Sequence, residues 1–290
     1  MPRNHRSFAD PKTHMRHAGK CGDVFKHFAL AAALDHYVRM CGDEQNVIYI
    51  DTHAGRGLYN LKGHKDRAIF EVPFEHMPSA FQEVADRTFL GGFYPGSPTI
   101  AAHFLRREDR IVFCETNSDE MDLLTKYVGN SRGREETYTP AWFVREDGFT
   151  AALEHLNSLP SVGHTSILFM DPTYEDPDDW TRVAYTAERA ARLRPETQHT
   201  TIIWYPVIHG QRSEVDQLHR RLADTAHRDG GTLIHQEIRV GREPGSQMVG
   251  AGMFFVKVFP GLDQALRRAI LAGDGIYDLT VGNLFTGARA

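Results

Sequence analysis

The sequence has few cysteines, no long apolar run and no excess of positive charge, and each shortage narrows what the protein can be. The three cysteines, Cys21, Cys41 and Cys114, are odd in number and have no C-x-x-C spacing. They argue against a disulfide or zinc framework and favour a reducing cytoplasm. The longest apolar runs, such as residues 28–34, fall well short of the roughly 20 residues that span a bilayer. The polar start of the chain lacks a signal-peptide apolar region, so we expect a cytoplasmic protein without a membrane segment.

Charge and histidine content argue against a broadly basic nucleic-acid binder and against a metal enzyme. The formal net charge is −5 at pH 7, so charge alone does not indicate a broad nucleic-acid-binding surface. Positive charge is concentrated in residues 1–20, where Asp10 is the single acid. This stretch is either a solvated tail or an arm that contacts phosphates. The 16 histidines are scattered, without H-E-x-x-H or Cys/His ligand spacing, so we expect no metal site.

Predicted strands and helices alternate along the chain. Of its 290 residues, 41% are hydrophobic and 24% charged, which is ordinary globular composition. Apolar patterning predicts strands at 46–51, 110–115, 142–149, 166–170, 200–205, 233–240 and 252–259. Helices are predicted at 24–39, 99–107, 120–127, 150–156, 180–193, 214–227 and 262–271. The alternation predicts an α/β fold with a mostly parallel sheet covered by helices on both faces, closed by an antiparallel pair at the sheet edge.

Residues 59–93 break this alternation. They are charged, aromatic and irregular, and we predict a small helical lobe inserted after the first strand, with a short helix near 81–89. The rigid turn 94–98 closes it. Residues 14–58 and 94–290 then form the main domain, and residues 1–13 a flexible basic lead. Asp23 and Ser97 are predicted to be the N-caps of the helices that follow them, and either Asn117 or Ser118 is predicted to cap the helix at 120–127.

Acids lie at or near the carboxyl ends of four of the predicted strands. They are Asp51, Glu115, Asp147 and Asp171. Because the carboxyl ends of parallel strands meet at one edge of the sheet, we expect these acids to line a common ligand site. Any one of them could instead cap a helix or remain a surface charge. Because four such acids occur at successive strand ends, a common ligand site is the favoured interpretation.

The turn after the first strand points to the type of ligand. Gly55 and Gly57 allow the backbone to approach a ligand closely. No third glycine of the dinucleotide fingerprint follows, and no pyrophosphate site is evident, so the pattern favours S-adenosylmethionine. Glu115 is placed to accept from ribose hydroxyls. Asp147 is placed to accept from the adenine amine of the cofactor, with Gly148 beside it.

The acid at the end of the fourth strand begins a different pattern, Asp171-Pro172-Thr173-Tyr174. A carboxylate oxygen of Asp171 and the carbonyl of Pro172 can accept both N–H bonds of a planar amine. That arrangement holds the nitrogen toward a methyl donor and stabilises the positive charge that develops on it. Tyr174 can stack on the base, which must first leave any helix it belongs to. The sequence therefore predicts methyl transfer to adenine N6.

Four stretches resemble the RlmJ (YhiR) family of bacterial 23S rRNA adenine-N6 methyltransferases, and the resemblance runs from about residue 14 to residue 258. They are His17-Ala18-Gly19 with Asp23-Val24-Phe25-Lys26-His27, Asp51-Thr52-His53-Ala54-Gly55-Arg56-Gly57, Tyr94-Pro95-Gly96-Ser97-Pro98 and Trp204-Tyr205-Pro206-Val207. The resemblance implies a class I methyltransferase fold, which is Rossmann-like with a mostly parallel seven-stranded sheet. It also implies S-adenosyl-L-methionine as cofactor and 23S rRNA, protein-free or partly assembled, as partner of a cytoplasmic monomer.

The same resemblance assigns roles to residues. The residues implied to line the cofactor site are Lys26, His53, Gly55, Ser97, Glu115, Asp147, Gly148 and Asp171. Those implied to hold the target adenine are Asp171, Pro172 and Tyr174. The N-terminal loop around His14 would close over the site, with Lys12 and His17 also contacting the substrate.

The chain departs from the family at two places. The family motif reads Asp-Pro-Pro-Tyr, and here Thr173 replaces the second proline, which removes stiffness from the loop. An aromatic near the family's N-terminus aligns with Lys12, and Lys20-Cys21 replaces a polar pair.

Two alternative functions stay open. One is a DNA adenine-N6 methyltransferase, although no separate DNA-reading module is evident. The other is a non-catalytic nucleic-acid-binding protein with a degenerate Asp-Pro-Thr-Tyr loop.

Overall fold

The structure is a computed structural model that describes residues 18–43, 45–64, 66–129, 141–160, 163–194, 198–228, 230–241, 247–273 and 275–281. The predictions for the lead 1–13 and for Lys12, His14 and His17 lie outside these residues. Within the described ranges, no helix combines the length and the apolar content needed to cross a membrane.

One large sheet carries most of the described strands, and a two-stranded ribbon carries the rest. The strands are β1 (Asn46–Asp51), β2 (Leu58–Asn60), β3 (Phe93–Pro95), β4 (Arg110–Cys114), β5 (Ala141–Val144), β6 (His164–Met170), β7 (His199–Ile208), β8 (Leu233–Arg239), β9 (Met248–Val256) and β10 (Asp278–Val281). The order in the large sheet is β10-β8-β9-β7-β6-β1-β4-β5, and β2 pairs with β3 in the ribbon. Strands β5, β4, β1, β6 and β7 run parallel to one another, which confirms the mostly parallel sheet.

The antiparallel end of the sheet differs from the prediction in two respects. Strand β9 pairs with both β7 and β8, so it lies inside the sheet rather than at its edge. The edge is formed by β10, antiparallel to β8. The sequence did not predict β10, because four residues that follow an aperiodic stretch carry no strand pattern. Strand β5 ends at Val144 rather than at 149, because helical backbone begins at Gly148.

Helices cover both faces of the sheet. They are α1 (Cys21–Cys41), α2 (Ser79–Phe89), α3 (Ser97–Phe104), α4 (Ser118–Leu124), α5 (Gly148–Ser158), α6 (Asp179–Leu193), α7 (Arg212–Arg228) and α8 (Leu262–Leu271). Tyr49 of β1 belongs to a core shared with α1, α3 and α8, whereas Ile48 and Ile50 belong to a second core shared with α5, α6 and α7. Because β1 and β6 are covered on both sides, their residues are almost all buried, which explains the unbroken apolar runs.

Two predicted helix caps are wrong, and one is confirmed. Helix α1 begins at Cys21, so Asp23 lies in its first turn, where it contacts Lys26 instead of capping. Ser97 is the first residue of α3, and Gly96 holds the N-cap position. Asn117 caps α4 as predicted, because its side chain accepts from two backbone N–H groups of that helix.

The segment between β2 and β3 holds short 3-10 helices at Ala68–Glu71 and Phe74–His76, followed by α2. Phe81 of α2 packs on Phe28 of α1, with ring centroids 4.8 Å apart. This segment therefore shares its core with the main sheet. Its description as a separate lobe, with boundaries at 59 and 93, remains a prediction.

Candidate active site

The predicted acids gather at the carboxyl edge of the parallel strands. Asp51 is the last residue of β1, and Glu115 and Asp171 directly follow β4 and β6. Asp147 lies three residues beyond β5, at the N-cap of α5. Because β6, β1, β4 and β5 are consecutive neighbours in the sheet, the four carboxylates occupy one edge.

A partly buried ion pair lies at the centre of this edge. The Lys26 Nζ atom of α1 lies 2.6 Å from Asp171 Oδ2 and 2.9 Å from Asp23 Oδ1. It also lies 5.3 Å from the ring centroid of Trp204. Burial alone would lower the pKa of Lys26, but the two carboxylates outweigh it and hold the pKa above its ordinary value. A cation in the first turn of a helix opposes the helix dipole, and here the carboxylates compensate.

Asp51 is fully buried beside this pair. Its carboxylate accepts from the Tyr49 hydroxyl and the His53 backbone N–H, both at 3.2 Å, and from the Ser97 side chain. Burial raises the pKa of Asp51 to about 7, and the negative charge of Asp171 adds to the effect. Ser97 thus contacts an acid of the site rather than capping its own helix, which is the physical reason for the failed cap prediction.

The glycine turn after β1 is tied to β4 through Glu115. The Gly55 N–H donates to Glu115 Oε2 at 2.9 Å, and the Asn117 N–H donates to Oε1 at 2.8 Å. Gly55 has a φ of +60°, and a Cβ there would lie 2.6 Å from the Tyr59 hydroxyl, so the turn needs glycine. A carboxylate offers about four acceptor positions, so Glu115 keeps capacity for ribose hydroxyls.

The fourth acid, Asp147, serves α5 directly. It accepts from the backbone N–H and the hydroxyl of Thr150, both at 3.0 Å, and forms an ion pair with Arg182. Burial would raise the pKa of Asp147, but Arg182 and Thr150 hold it below its ordinary value. The Arg182 guanidinium lies 4.3 Å from the ring centroid of Phe149. The structure therefore orients Asp147 through a cation that sequence reasoning missed.

Gly148 and His53 lie where α5 meets the turn after β1. A Cβ on Gly148 would come within 1.9 Å of the Thr52 carbonyl oxygen, so backbone packing alone requires glycine. The His53 Nδ1 atom is 2.7 Å from Thr52 Oγ1, and the His53 ring meets Phe149 edge-on at 4.9 Å. These contacts bring His53 and Gly148 together with Asp147.

Tyr174 lies in the same loop as Asp171 but is almost wholly buried, with 5% of its surface exposed. Its hydroxyl donates to the Trp204 carbonyl oxygen at 2.9 Å, and its backbone N–H donates to Asp179 Oδ2 at 3.1 Å. Its ring packs on Trp180 at a centroid distance of 4.4 Å. Sequence reasoning missed Asp179, because an acid at the start of a helix indicates by itself only a favourable contact with the helix dipole.

Sheet order and strand-end acids together define a Rossmann-like class I methyltransferase fold. Among the described residues, no group of three or more His, Cys, Asp or Glu side chains could hold a metal ion. The chain belongs to the family described as "Ribosomal RNA large subunit methyltransferase D, RlmJ", whose model matches residues 79–272.

Individual relatives agree with this assignment. The chain is 26% identical over 216 residues to "Ribosomal RNA large subunit methyltransferase J" of Haemophilus influenzae, covering 69% of this chain and 72% of the relative. The Escherichia coli K12 protein with the same name is 28% identical over 214 residues, covering 67% and 69%. The crystal structure of protein LPL1258 from Legionella pneumophila has the same fold, with a TM-score of 0.74, 22% identity and coverage of 94% and 99%.

Proposed function

We propose that this protein transfers a methyl group from S-adenosylmethionine to N6 of an adenine in 23S rRNA. The observation that carries the proposal is the position of Asp171-Pro172. It directly follows the buried central strand β6, beside the glycine turn after β1, in a chain of the RlmJ family. The two relatives that are named large subunit rRNA methyltransferases support the choice of substrate.

The residues at the strand ends fit S-adenosylmethionine chemically. The cofactor is a nucleoside linked to an amino acid through a sulfonium, and when bound it supplies an electrophilic methyl group. Glu115 would accept from the ribose hydroxyls, and Asp147 would accept from the adenine amine, beside the Gly148 backbone. The turn at Gly55 would pass under the amino-acid part, with Lys26, His53 and Ser97 completing the site. These oxygen acceptors are already oriented by bonds from backbone amides and, for Asp147, from the Thr150 hydroxyl.

Asp171 and Pro172 would act on the nucleophile. The amine of adenine is weakly nucleophilic because its lone pair is delocalised into the ring. Two acceptors, one on the Asp171 carboxylate and one on the Pro172 carbonyl, would fix both N–H bonds. They would stabilise the cation that forms as the N–C bond replaces the S–C bond, until its extra N–H proton is lost to solvent. The Lys26 bond to Asp171 Oδ2 is compatible with this role, since a carboxylate can accept several donors at once.

The Tyr174 ring does not form an open surface on which a base could stack. With 5% of its surface exposed and its ring against Trp180, it would meet the base face only if the packing around it opened. We therefore propose stacking as an event that follows substrate entry. In the methylation assay, Tyr174→Phe keeps the ring and loses the hydroxyl bond to Trp204. Retention of activity in this variant would favour a role for the ring.

The experiment that tests the function is methylation of a protein-free 23S rRNA fragment by the wild type and by Asp171→Ala. We expect the variant to lose methylation while it still folds, because Asp23 remains paired with Lys26. Glu175→Ala, an exposed acid in the same loop, is the matched control and should keep activity. Full activity of Asp171→Ala would refute the mechanism.

The same assay with different substrates distinguishes the proposed function from a DNA methyltransferase and from a non-catalytic binding protein. Duplex DNA, protein-free rRNA and assembled large subunits are offered in parallel, and the methylated nucleotide is mapped. Methylation of DNA but not of rRNA would favour a DNA methyltransferase. Cofactor binding without turnover on any substrate would favour the non-catalytic alternative. We further propose that the protein is a cytoplasmic monomer, and light scattering of the purified protein tests the oligomeric state.

A further inference from the structure

The backbone of Tyr174 adopts a conformation that its side chain disfavours. Its φ is +56°, and Lys257 is the other non-glycine residue with positive φ in the described part of the chain. The left-handed region is crowded for a residue with a Cβ, and a bulky aromatic there persists only when its surroundings hold it. The loop that would bind the target adenine is therefore held by contacts outside itself.

One of these contacts acts on the backbone. The Tyr174 N–H donates to Asp179 Oδ2 at 3.1 Å, whereas the hydroxyl bond to Trp204 and the packing on Trp180 act on the side chain. Asp179 is 7% exposed and stands in the first turn of α6. Its acceptor oxygen fixes the peptide group between Thr173 and Tyr174. The adjacent peptide group carries the Pro172 carbonyl.

We propose, on the basis of the proposed function, that Asp179 is a positioning residue for methyl transfer. By accepting the Tyr174 N–H, it holds the loop so that Asp171 and the Pro172 carbonyl face the target amine together. It thereby supplies a constraint that a second proline in the motif would supply covalently. The Thr173 hydroxyl does not replace it, because the bond that it accepts from the Glu175 N–H is long, at 3.4 Å.

The charges around Asp179 suit this role at neutral pH. Burial raises the pKa of Asp179 to about 6, Asp176 and Asp147 add to the rise, and Arg182 opposes it. The carboxylate is therefore ionised near pH 7, and an ionised acceptor makes the stronger bond to a backbone amide.

The test compares Asp179→Ala and Asp179→Asn with Asp178→Ala, which removes the neighbouring, exposed carboxylate. Steady-state methylation of the 23S rRNA fragment is measured below the melting temperature of every variant. We expect Asp179→Ala to lower kcat by about 10- to 100-fold, the scale of a small misplacement of reacting groups. The KM for S-adenosylmethionine should change less than about twofold, because the bond acts on the loop rather than on the cofactor site. Asp179→Asn, which keeps an acceptor oxygen, should recover most of the loss.

A double variant tests the constraint itself. In a Thr173→Pro background, the loop regains covalent stiffness, so the loss caused by Asp179→Ala should shrink. Equal losses in both backgrounds would overturn the proposed compensation. An active wild type whose Asp179→Ala variant matches Asp178→Ala would overturn the positioning role alone. A wild type that methylates no nucleic acid would overturn the proposed function and this inference with it.

Discussion

Asp51 makes the stability of the protein depend on pH, and a single substitution should remove this contribution. The carboxyl is fully buried and its pKa rises from 3.8 to about 7 on folding. The folded protein therefore binds this proton more tightly than the unfolded chain does. Stability from this group is fully present below pH 3.8 and is lost as pH rises toward 7. Asp51→Asn removes the titration and should stabilise the protein selectively at neutral and alkaline pH.

The size of the effect follows from the two pKa values. Each pKa unit of difference corresponds to about 1.4 kcal/mol, so the ionised Asp51 costs the folded state about 4 kcal/mol above pH 7. At pH 5 most of that cost is absent. The side-chain amide that Asp51→Asn introduces must also find partners for its N–H groups, but that cost does not change with pH. The decisive quantity is therefore the change with pH in the stability difference between variant and wild type.

Urea unfolding at pH 5, 6, 7 and 8 measures this difference. We expect the free energy of unfolding of Asp51→Asn to gain on that of the wild type at each step up to pH 7. The gain should then level off. Asp43→Asn changes a fully exposed acid and should leave the pH dependence of the wild type in place. A stability difference that stays constant from pH 5 to pH 8 would show that Asp51 titrates normally in the folded protein.

Two further substitutions test the packing of the site. Lys26→Met removes the cation between Asp171 and Asp23 and leaves two partly buried carboxylates uncompensated, so the free energy of unfolding should fall by up to about 3–5 kcal/mol. Denaturant unfolding measures this, and unchanged stability would contradict a buried ion pair. Gly148→Ala drives a Cβ into the Thr52 carbonyl and should cost about 1–3 kcal/mol in the same assay, together with weaker S-adenosylmethionine binding in calorimetry. Gly241→Ala, which adds a Cβ in open space, is its control and should match the wild type.

Most of the fold is readable from the sequence because burial on both faces leaves a strong local pattern. The run from His164 to Met170 is buried at every position, and that is why an unbroken apolar stretch identified a central strand. The start of α1 was missed by three residues, because Lys20 at its N-cap position makes no side-chain cap bond and leaves no local signal. Strand β10 depends on its partner β8, and no local pattern reports a partner.

The candidate site also has one part that the sequence predicts and one part that it does not. The strand-end acids could be predicted, since parallel strands bring their carboxyl ends together whatever the rest of the chain does. The contacts that orient these acids could not. Lys26 lies 145 residues from Asp171 in the sequence, and Arg182 lies 35 residues from Asp147. Gly148 was predicted to contact the cofactor. Packing against the turn after β1 already requires a glycine there, because a Cβ would collide with that turn.

The packing of α1 against the end of the described chain has a consequence for synthesis. Phe25 of α1 meets Tyr277 edge-on at a centroid distance of 5.9 Å, and the Cys21 thiol donates to the Ile276 carbonyl at 3.3 Å. The same helix carries Lys26 to Asp171. On the ribosome, α1 emerges well before these partners and cannot complete its packing until residue 277 has left the exit tunnel. The nascent chain therefore acquires its fully packed site only after residues 276 and 277 have joined α1.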